Sequence, residues 1–331
     1  MTADVPLAEV TRGGFVESRH DGAFATVGPG GAMLRAGGDV ERPIYPRSAI
    51  KAMQCLPVIE SGAADRFGFD DAEIALACAS HGGEPVHVDT ARAMLVKLSL
   101  AEDALECGAH WPSEARAARD LVKRGEAPSA LHNNCSGKHA GMLALSLALG
   151  VPHRGYVDLD HPVQRRIAAT LGALTGCDLA TAPCGIDGCS VPTWALPLVD
   201  LARAFQRFAS GEGLAPERAA AARRITAAVS AHPFLVAGSK RFCTDLMRAV
   251  PRAFVKTGAE GVFCAAVPHA GIGIALKCRD GAGRAAETAL AGLLAGLDVW
   301  TEAERRELLG FTAVKIRNWR NLETGEIHAL L

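Results

Sequence analysis

The sequence predicts an α+β fold: a mainly antiparallel sheet built from both ends of the chain, flanked by helices, with a helical insertion between its halves. Residues 6–36 alternate apolar and polar positions around Gly-rich turns. Residues 48–230 carry Ala- and Leu-rich runs at helical spacing, and residues 252–280 return to strand patterns. Strands at both ends with helices between them favour one sheet on which the helices pack.

The individual elements follow from local patterns. LAEVTRGGFVES and HDGAFATVG carry hairpin signals, and a Gly-Pro-Gly-Gly turn precedes AMLRAG, so we expect a β-meander. The clearest helices of the insertion are predicted in DTARAMLVKLSLA, GKHAGMLALSLALG, HPVQRRIAATLGALTG and PERAAAARRITAAVSAH. Near the C-terminus, RAFVKTGAEGVFCAAVP and AGIGIALKCRD predict strands. Helices at 284–298 and 301–309 and a last short strand around 311–316 are expected to follow.

This pattern divides the chain into two parts. Residues 1–60 and 240–331 are expected to form the sheet-containing part. Residues 61–239 are expected to form a mostly helical part that carries the metal and substrate loops.

Composition and charge exclude several classes of function. The 331 residues are 49% hydrophobic, and the formal net charge is −1 with no long basic run. Nucleic acid is not expected as a partner, because phosphate binding needs clustered Lys and Arg. The start, MTADVPLAEVTRGG, lacks the basic and apolar regions of a signal peptide, and no apolar stretch reaches the length of about 18 residues that spans a membrane. We expect a cytoplasmic protein with no membrane partner, whose ten cysteines are free thiols or metal ligands.

The first candidate catalytic motif is YPRSAIK. Ser48 is favoured at a helix start, and Lys51 follows three residues later on the same helical face. A serine hydroxyl becomes a good nucleophile when a base takes its proton, and a lysine can be that base if its surroundings favour the neutral amine. A helix cap followed by a solvated lysine is the alternative interpretation.

The second motif is VKTGAEG, in a strand context. Lys-Thr-Gly after Ser-x-x-Lys is the order found in serine β-lactamases and penicillin-binding proteins. Lys256 on a strand beside the serine would add positive potential to an active site. An ordinary strand lysine before a Gly turn is the alternative.

The third motif is CASHGGEPVH. The Gly pair allows close approach to a ligand, and Ser80 could relay a proton. A turn with a polar cap is the alternative. His81 as the base of a serine triad is less favoured, because Lys51 already fills that role.

Two Gly-flanked cysteine loops, HNNCSGKHAGM and APCGIDGCS, form the next candidate site. Cys135 and Cys189 are candidate metal ligands, because soft thiolates suit Zn²⁺. Two further ligands are held in reserve, Cys184 and His139. The spacing matches no zinc-finger pattern, and buried thiols in a hydrogen-bonded loop are the alternative.

Five segments together resemble the rhizobial-type L-asparaginases. In chain order they are YPRSAIKAMQ, CASHGGEPVH, HNNCSGKHAGML, APCGIDGCSVPT and KTGAEGVFCAA. The resemblance runs from about Glu9 to the C-terminus, and the set is more specific than any single motif. It implies a fold similar to serine β-lactamases and β-lactamase-like glutaminases, a homodimer, and hydrolysis of L-asparagine to L-aspartate and ammonia. It also implies two serine–lysine pairs, Ser48 with Lys51 and Ser80 with Lys256.

The same resemblance implies a zinc site and a substrate pocket. The implied Zn²⁺ ligands are Cys135, Lys138 and Cys189. The implied substrate-binding residues are Arg47, His81, Asn133 and Asp187. A lysine ligand must give up its proton to bind metal, whereas the loop sequence by itself points to His139.

Two rival functions stay open at the level of sequence. A glutaminase or a β-lactam-recognising acylase would use the same fold, and substrate preference separates them. A non-catalytic amino-acid-binding protein would keep the fold and metal, and ammonia release separates it from an enzyme.

Overall fold

The computed structural model describes residues 3–331, which form two compact units that interleave along the chain. One unit comprises the chain up to Ala49 together with Ala195–Glu212 and Leu246–Leu331. The other comprises Ile50–Trp194 and Gly213–Asp245. The division predicted from the sequence, into residues 1–60 with 240–331 and residues 61–239, stays a prediction.

The elements of the described residues have the following bounds. The strands are β1 (Val5–Arg12), β2 (Phe15–Val27), β3 (Met33–Gly37), β4 (Pro43–Ile44), β5 (Cys184–Ile186), β6 (Pro192–Trp194), β7 (Leu196–Pro197), β8 (Phe254–Thr257), β9 (Val262–Val267), β10 (Ile272–Cys278), β11 (Ala313–Arg317) and β12 (Glu323–Ala329). The helices are α1 (Lys51–Glu60), α2 (Ala63–Arg66), α3 (Asp71–Ala77), α4 (Pro85–Lys97), α5 (Ala115–Arg124), α6 (Ser136–Leu149), α7 (Pro162–Thr175), α8 (Leu198–Ser210), α9 (Pro216–Ala231), α10 (Pro233–Ala237), α11 (Phe242–Ala249), α12 (Gly283–Ala295) and α13 (Glu302–Gly310).

The first unit contains an antiparallel sheet built from both ends of the chain, as predicted. Its strand order is β11-β12-β1-β2-β10-β9-β8, with β3 also paired to β2. The two ends meet where β1 pairs with β12, from Ala8 opposite Ala329 to Arg12 opposite Gly325. Helix α8 packs against β2, β9 and β10, and α12 packs against β1, β9, β10 and β12. The predicted α+β class is therefore confirmed, including the N-terminal β-meander.

Two strand regions differ from the sequence prediction. The last strand of the sheet is not the one predicted around residues 311–316. A further strand, β12, follows β11 and pairs with both β11 and β1. The β12 sequence, ETGEIHA, has one large apolar residue, so pairing on both sides rather than alternation makes it a strand. In the helical insertion, β5 and β6 form a hairpin whose strands are too short to show an alternation of apolar and polar residues in the sequence.

The second unit is a group of helices around α6. Helix α6 packs against α1, α2, α3, α4 and α7, and its first eleven residues are buried. A Cβ added to Gly137 would lie 2.4 Å from the Leu76 carbonyl oxygen, so only glycine allows the first turn of α6 to touch the end of α3. This contact places the start of α6 beside the loop that follows α3. No helix within the described residues is long and apolar enough to cross a bilayer.

Candidate active site

The side chain of Lys51 lies at the start of α1 and is almost completely buried, at 1% exposure. Its Nζ is 2.5 Å from the Ala79 carbonyl oxygen, 3.0 Å from Ser80 Oγ and 3.4 Å from the Asn134 carbonyl oxygen. The motifs YPRSAIK, CASHGGEPVH and HNNCSGKHAGM therefore converge on one amine. Lys51 is not the solvated lysine of the alternative interpretation.

The three neighbours of Lys51 suit both protonation states of its amine. An ammonium has three donors, which match the two carbonyl oxygens and the hydroxyl. A neutral amine keeps two donors for Ala79 and Asn134, and its lone pair can accept the proton of the Ser80 hydroxyl. The arrangement can therefore hold a proton at Nζ or exchange it with Ser80, and Lys51 also acts on the nearby Cys135 thiol.

The loop after α3 is fixed by its backbone and by His81. The Ser80 amide donates to the Val236 carbonyl oxygen at 2.9 Å. The His81 ring is fully buried; its Nδ1 accepts from the Gly83 amide at 3.2 Å and its Nε2 lies 3.0 Å from Ser136 Oγ. Because Nδ1 is an acceptor, we assign the proton to Nε2. Both ring nitrogens are thus engaged by protein groups. A substrate contact through this ring would need one of these bonds to break.

His81 also belongs to a buried stack of rings. Its ring stacks on His87 at a centroid distance of 4.8 Å, and His87 stacks on Phe234 at 5.4 Å. Burial, together with the charges of His87 and Lys51, holds the pKa of His81 well below its ordinary value. Burial also lowers the pKa of His87. Both rings are therefore neutral in the folded protein at neutral pH.

This stack predicts a loss of stability in acid. The unfolded chain protonates these histidines below about pH 6.5, whereas the folded chain does not, so the unfolded state binds more protons. The free energy of unfolding is then expected to fall with pH from about 6.5 downward, by up to about 1.4 kcal/mol per pH unit for each histidine. Urea unfolding at several pH values measures this slope. His87→Gln should make it shallower, and an equal slope in the variant and the unmodified protein would refute the prediction.

The start of α6 is held by the Asn133 side chain. Its Nδ2 donates to the carbonyl oxygens of Cys107 at 2.9 Å and Gly108 at 3.0 Å, and its Oδ1 accepts from the Cys135 amide at 2.9 Å. Asn133 therefore orients Cys135, which precedes the first turn of α6. This anchoring role is one that the sequence did not indicate.

Cys135, Cys189 and Lys138 form a buried cluster. Lys138 Nζ donates to Cys189 Sγ at 2.9 Å, and Cys135 Sγ donates to Asn134 Oδ1 at 3.0 Å. The interaction with Cys189, with the positive charges of Lys51 and Lys138, holds the pKa of Cys135 well below its usual range. The same interaction and burial raise the pKa of Cys189. Burial opposes the charge on Lys138, but the two cysteines outweigh it and raise its pKa.

The hairpin of β5 and β6 carries the other half of this cluster. Its tip is closed by two backbone bonds, from the Asp187 amide to Val191 and from the Ser190 amide to the Asp187 carbonyl oxygen. Asp187 Oδ1 accepts from the Gly188 amide at 2.7 Å, and the charge of Asp187 acts on Lys138. The half-buried Asp187 is therefore placed beside the cluster, at a position open to solvent.

The cluster fits a zinc ion in its donor types. Two sulfur atoms and one nitrogen converge, and such a set of three leaves one open position on a tetrahedral metal. Among residues 3–331, no group of three or more His, Cys, Asp or Glu side chains is arranged to hold a metal. A site here therefore needs the amine of Lys138 as its third donor.

The two reserve ligands lie in different surroundings. His139 is fully buried, and its Nδ1 lies 2.6 Å from the Tyr156 hydroxyl, which accepts from the Glu106 amide. Its Nε2 is buried and has no hydrogen-bond partner among the described residues. Cys184 is exposed on β5.

The sheet unit carries the other predicted catalytic residues. Ser48 is half-buried in the 3₁₀ turn Arg47–Ile50, which precedes α1, and Arg47 has a positive φ of 51°. Lys256 in β8 is buried, and its Nζ donates to the Thr257 carbonyl oxygen at 3.1 Å.

A glycine brings the Lys-Thr-Gly motif against the serine motif. A Cβ added to Gly258 would lie 2.6 Å from the Pro46 carbonyl oxygen, so only glycine fits this approach. The two motifs recognised in the sequence, YPRS and KTG, are thus neighbours within one unit.

Comparisons with known proteins give one family. A family model for L-asparaginase II matches residues 8–329, nearly the whole chain. No curated protein sequence matches significantly.

Solved structures show weak likenesses. The crystal structure of Mglu in its native form is 16% identical, with a TM-score of 0.43, over 82% of this chain and 62% of Mglu. A β-lactamase from Mycobacterium bovis is 13% identical, with a TM-score of 0.42, over 88% of this chain and 95% of that protein. The chain therefore spans less than two thirds of the length of Mglu.

Proposed function

Because the chain belongs to the L-asparaginase II family, we propose that it hydrolyses the side-chain amide of L-asparagine to L-aspartate and ammonia through a serine–lysine acyl-enzyme. The observation that carries this proposal is the buried amine of Lys51, whose three partners suit both its charged and its neutral form. A base that can hold and release a proton in one geometry is what acyl transfer by serine needs.

In the first half-reaction, Ser48 attacks the amide carbon of asparagine. The Ser48 hydroxyl gives its proton to the neutral amine of Lys51, three residues along the chain. Backbone amides near Ser48 would stabilise the oxyanion, which is often the largest electrostatic contribution. Collapse of this intermediate expels ammonia and leaves a β-aspartyl ester on Ser48.

Ser80 is proposed as the relay between Lys51 and the leaving group. Its Oγ lies 3.0 Å from Lys51 Nζ, so it can accept a proton there and donate its own to the departing nitrogen. Lys256 would add positive potential to this relay from β8. Water then hydrolyses the ester by the same route in reverse, with Lys51 taking the proton of the water.

Substrate recognition is proposed for four residues: Arg47, His81, Asn133 and Asp187. Asp187 is the best supported, because it is half-buried, its charge acts on Lys138, and a carboxylate suits the α-amino group of an amino acid. Asn133 and His81 hold the walls of the site through the bonds described above. The guanidinium of Arg47 suits the α-carboxylate of the substrate.

The experiment that tests the function is ammonia release by the purified protein from a matched panel. The panel contains L-asparagine, D-asparagine, L-glutamine and a chromogenic β-lactam. Turnover of L-asparagine well above the others supports the proposal. Preference for glutamine or the β-lactam would assign one of the rival enzymes, and binding of asparagine without ammonia release would assign an amino-acid-binding protein.

We further propose that Cys135, Lys138 and Cys189 hold one Zn²⁺ ion. When bound, the metal would supply positive charge that orients the substrate, or it would tie the β5–β6 hairpin to α6. Lys138 must then be neutral, so zinc binding should release protons.

Protein purified without added metal is therefore expected to contain close to one zinc per chain by elemental analysis. The double variant Cys135→Ala, Cys189→Ala should contain almost none, because both sulfur donors are lost. Cys184→Ala is the matched control and should keep the metal. Unchanged zinc in the double variant, or little zinc in the unmodified protein, would contradict the site.

A homodimer is also proposed, on the basis of the family resemblance. Light scattering at micromolar concentration is expected to give twice the mass of one chain. The mass of a single chain under these conditions would refute it.

A further inference from the structure

A second segment of the helical unit holds the loop that carries Ser80. Residues 233–239 comprise the short helix α10 and the two residues that follow it. The Ser80 amide donates to the Val236 carbonyl oxygen at 2.9 Å, and His87 Nε2 lies 3.1 Å from the Phe234 carbonyl oxygen. The backbone of Ser80 is therefore placed by the groups that fix this segment.

The side chain of Glu84 binds the end of the segment. Glu84 is half-buried and precedes the first turn of α4. Its Oε1 accepts from the Ser239 amide at 2.8 Å, and its Oε2 accepts from the Ser239 hydroxyl at 2.7 Å. Because hydrogen bonds to a carboxylate are stronger than those between neutral groups, this contact can hold the chain that follows α10 in place.

Gly238 allows the close approach of the two chains. Its φ of 104° and ψ of −167° lie in a region that essentially only glycine adopts. A Cβ added here would lie 2.5 Å from Glu84 Oε1 and 3.1 Å from His87 Cε1. The backbone therefore turns at a glycine, so that its next residue, Ser239, meets the carboxylate.

We propose that Glu84 is a positioning residue for Ser80. By binding Ser239, Glu84 fixes the end of α10, and the Val236 carbonyl oxygen then holds the Ser80 backbone so that Ser80 Oγ lies 3.0 Å from Lys51 Nζ. The consequence for catalysis rests on the proposed function, in which Ser80 relays a proton. The placement of the Ser80 backbone does not rest on it.

A proton relay depends on distance. The separation of 3.0 Å between Ser80 Oγ and Lys51 Nζ is within hydrogen-bonding reach, and a shift of about 1 Å would end that contact. Misplacement of this size can lower a rate by about a hundredfold. Because Ser80 is proposed to relay a proton and not to hold the substrate, its misplacement should lower kcat and leave KM unchanged.

The test compares Glu84→Ala with Glu84→Gln in the full chain. Alanine removes both bonds to Ser239, so kcat for L-asparagine should fall by about tenfold to a hundredfold at unchanged KM. Glutamine can accept from the Ser239 amide and donate to the Ser239 hydroxyl, so most of kcat should return. The proposal is overturned if glutamine is as damaging as alanine, or if alanine leaves kcat unchanged.

Amide hydrogen exchange tests the placement of Ser80 without any turnover. Peptides that span residues 75–84 should exchange faster in Glu84→Ala than in the unmodified protein, because the Ser80 amide loses a fixed acceptor. Glu84→Gln should exchange like the unmodified protein. Equal exchange in all three proteins would overturn the proposal. Faster exchange in Glu84→Ala, together with an unmodified protein that releases no ammonia, would support the positioning and count against the proposed function alone.

Glu60→Ala is the control for a general loss of stability. Glu60 also binds one partner with both carboxylate oxygens, Arg218, at 2.5 and 3.1 Å. It ends α1, which Lys51 begins, so the two lie about 14 Å apart along the helix. Its loss should lower the unfolding midpoint in urea and leave kcat unchanged. A fall in kcat as large as that of Glu84→Ala would mean that lost stability explains both, and would overturn the proposal.

Ser239→Ala carries the test if Glu84→Ala does not fold. This variant keeps the carboxylate and its bond to the backbone amide and loses only the bond from the hydroxyl. A smaller fall in kcat at unchanged KM is therefore expected, and no fall would overturn the proposal.

Discussion

Replacing Ser48 with alanine is expected to lower kcat for asparagine by about three orders of magnitude or more, because loss of a nucleophile removes the acyl-enzyme route. The protein should still fold, since Ser48 is half-buried in a surface turn and its neighbours in the turn are unchanged. Ammonia release gives kcat, and the unfolding midpoint in urea reports on the fold.

The matched control is Ser80→Ala. Ser80 touches Lys51 directly, so it is the other serine that this base can activate. If Ser80 only relays a proton, its loss should cost about a hundredfold, the usual scale of general acid–base assistance.

Trapping identifies the nucleophile directly. Acid quenching during turnover, followed by cleavage before aspartate, should place the β-aspartyl group on peptide 39–64, which contains Ser48. Two outcomes would reassign the nucleophile to Ser80. One is a β-aspartyl group on peptide 71–88, which contains Ser80. The other is turnover by Ser48→Ala within about tenfold of the unmodified protein.

The sheet was predictable where residues alternate and pack locally. β1, β2 and β3 follow from their turns, and the four long helical runs become α4, α6, α7 and α9. β12 was missed because it lacks alternation: it is a strand because it pairs with β11 on one side and, on the other, with residues more than 300 positions away, such as Ala8 with Ala329. Such pairing leaves no local signal in the sequence.

The site shows the same limit. Ser-x-x-Lys indicated a local pair, but the contact of Lys51 with Ser80 joins residues 29 positions apart. Sequence order suggested that the two cysteine loops meet, and the structure places Lys138, three residues after Cys135, 2.9 Å from Cys189 Sγ. The order of the motifs along the chain does not reveal which side chains of different motifs form hydrogen bonds with one another.

Asn133 and Gly258 illustrate that difference. Asn133 was expected at the substrate, yet its amide is engaged by three backbone groups that orient Cys135. Gly258 was recognised as part of a catalytic motif. The structure gives a packing reason for glycine at this position, because a side chain would collide with the Pro46 carbonyl oxygen. Residues in a functional motif thus also carry the packing that assembles the site.

Lys51→Arg is expected to be nearly inactive at every pH, with kcat/KM lower by about three orders of magnitude. A guanidinium supplies the donors that the carbonyl oxygens of Ala79 and Asn134 need, but it does not give up its proton to become a base. The variant therefore tests base function with the buried polar partners still satisfied.

Lys51→Met separates this role from packing. Methionine fills much of the same volume but leaves the two carbonyl oxygens without their donor, so it should be both inactive and less stable, by about 1–3 kcal/mol for the unpaired groups. Lys51→Arg should be the more stable of the two variants and no more active. Measurement of kcat/KM beside urea unfolding for both variants and the unmodified enzyme decides the matter. An active arginine variant would mean that a group other than Lys51 takes the serine proton, and Ser80 with Lys256 would be the pair to examine.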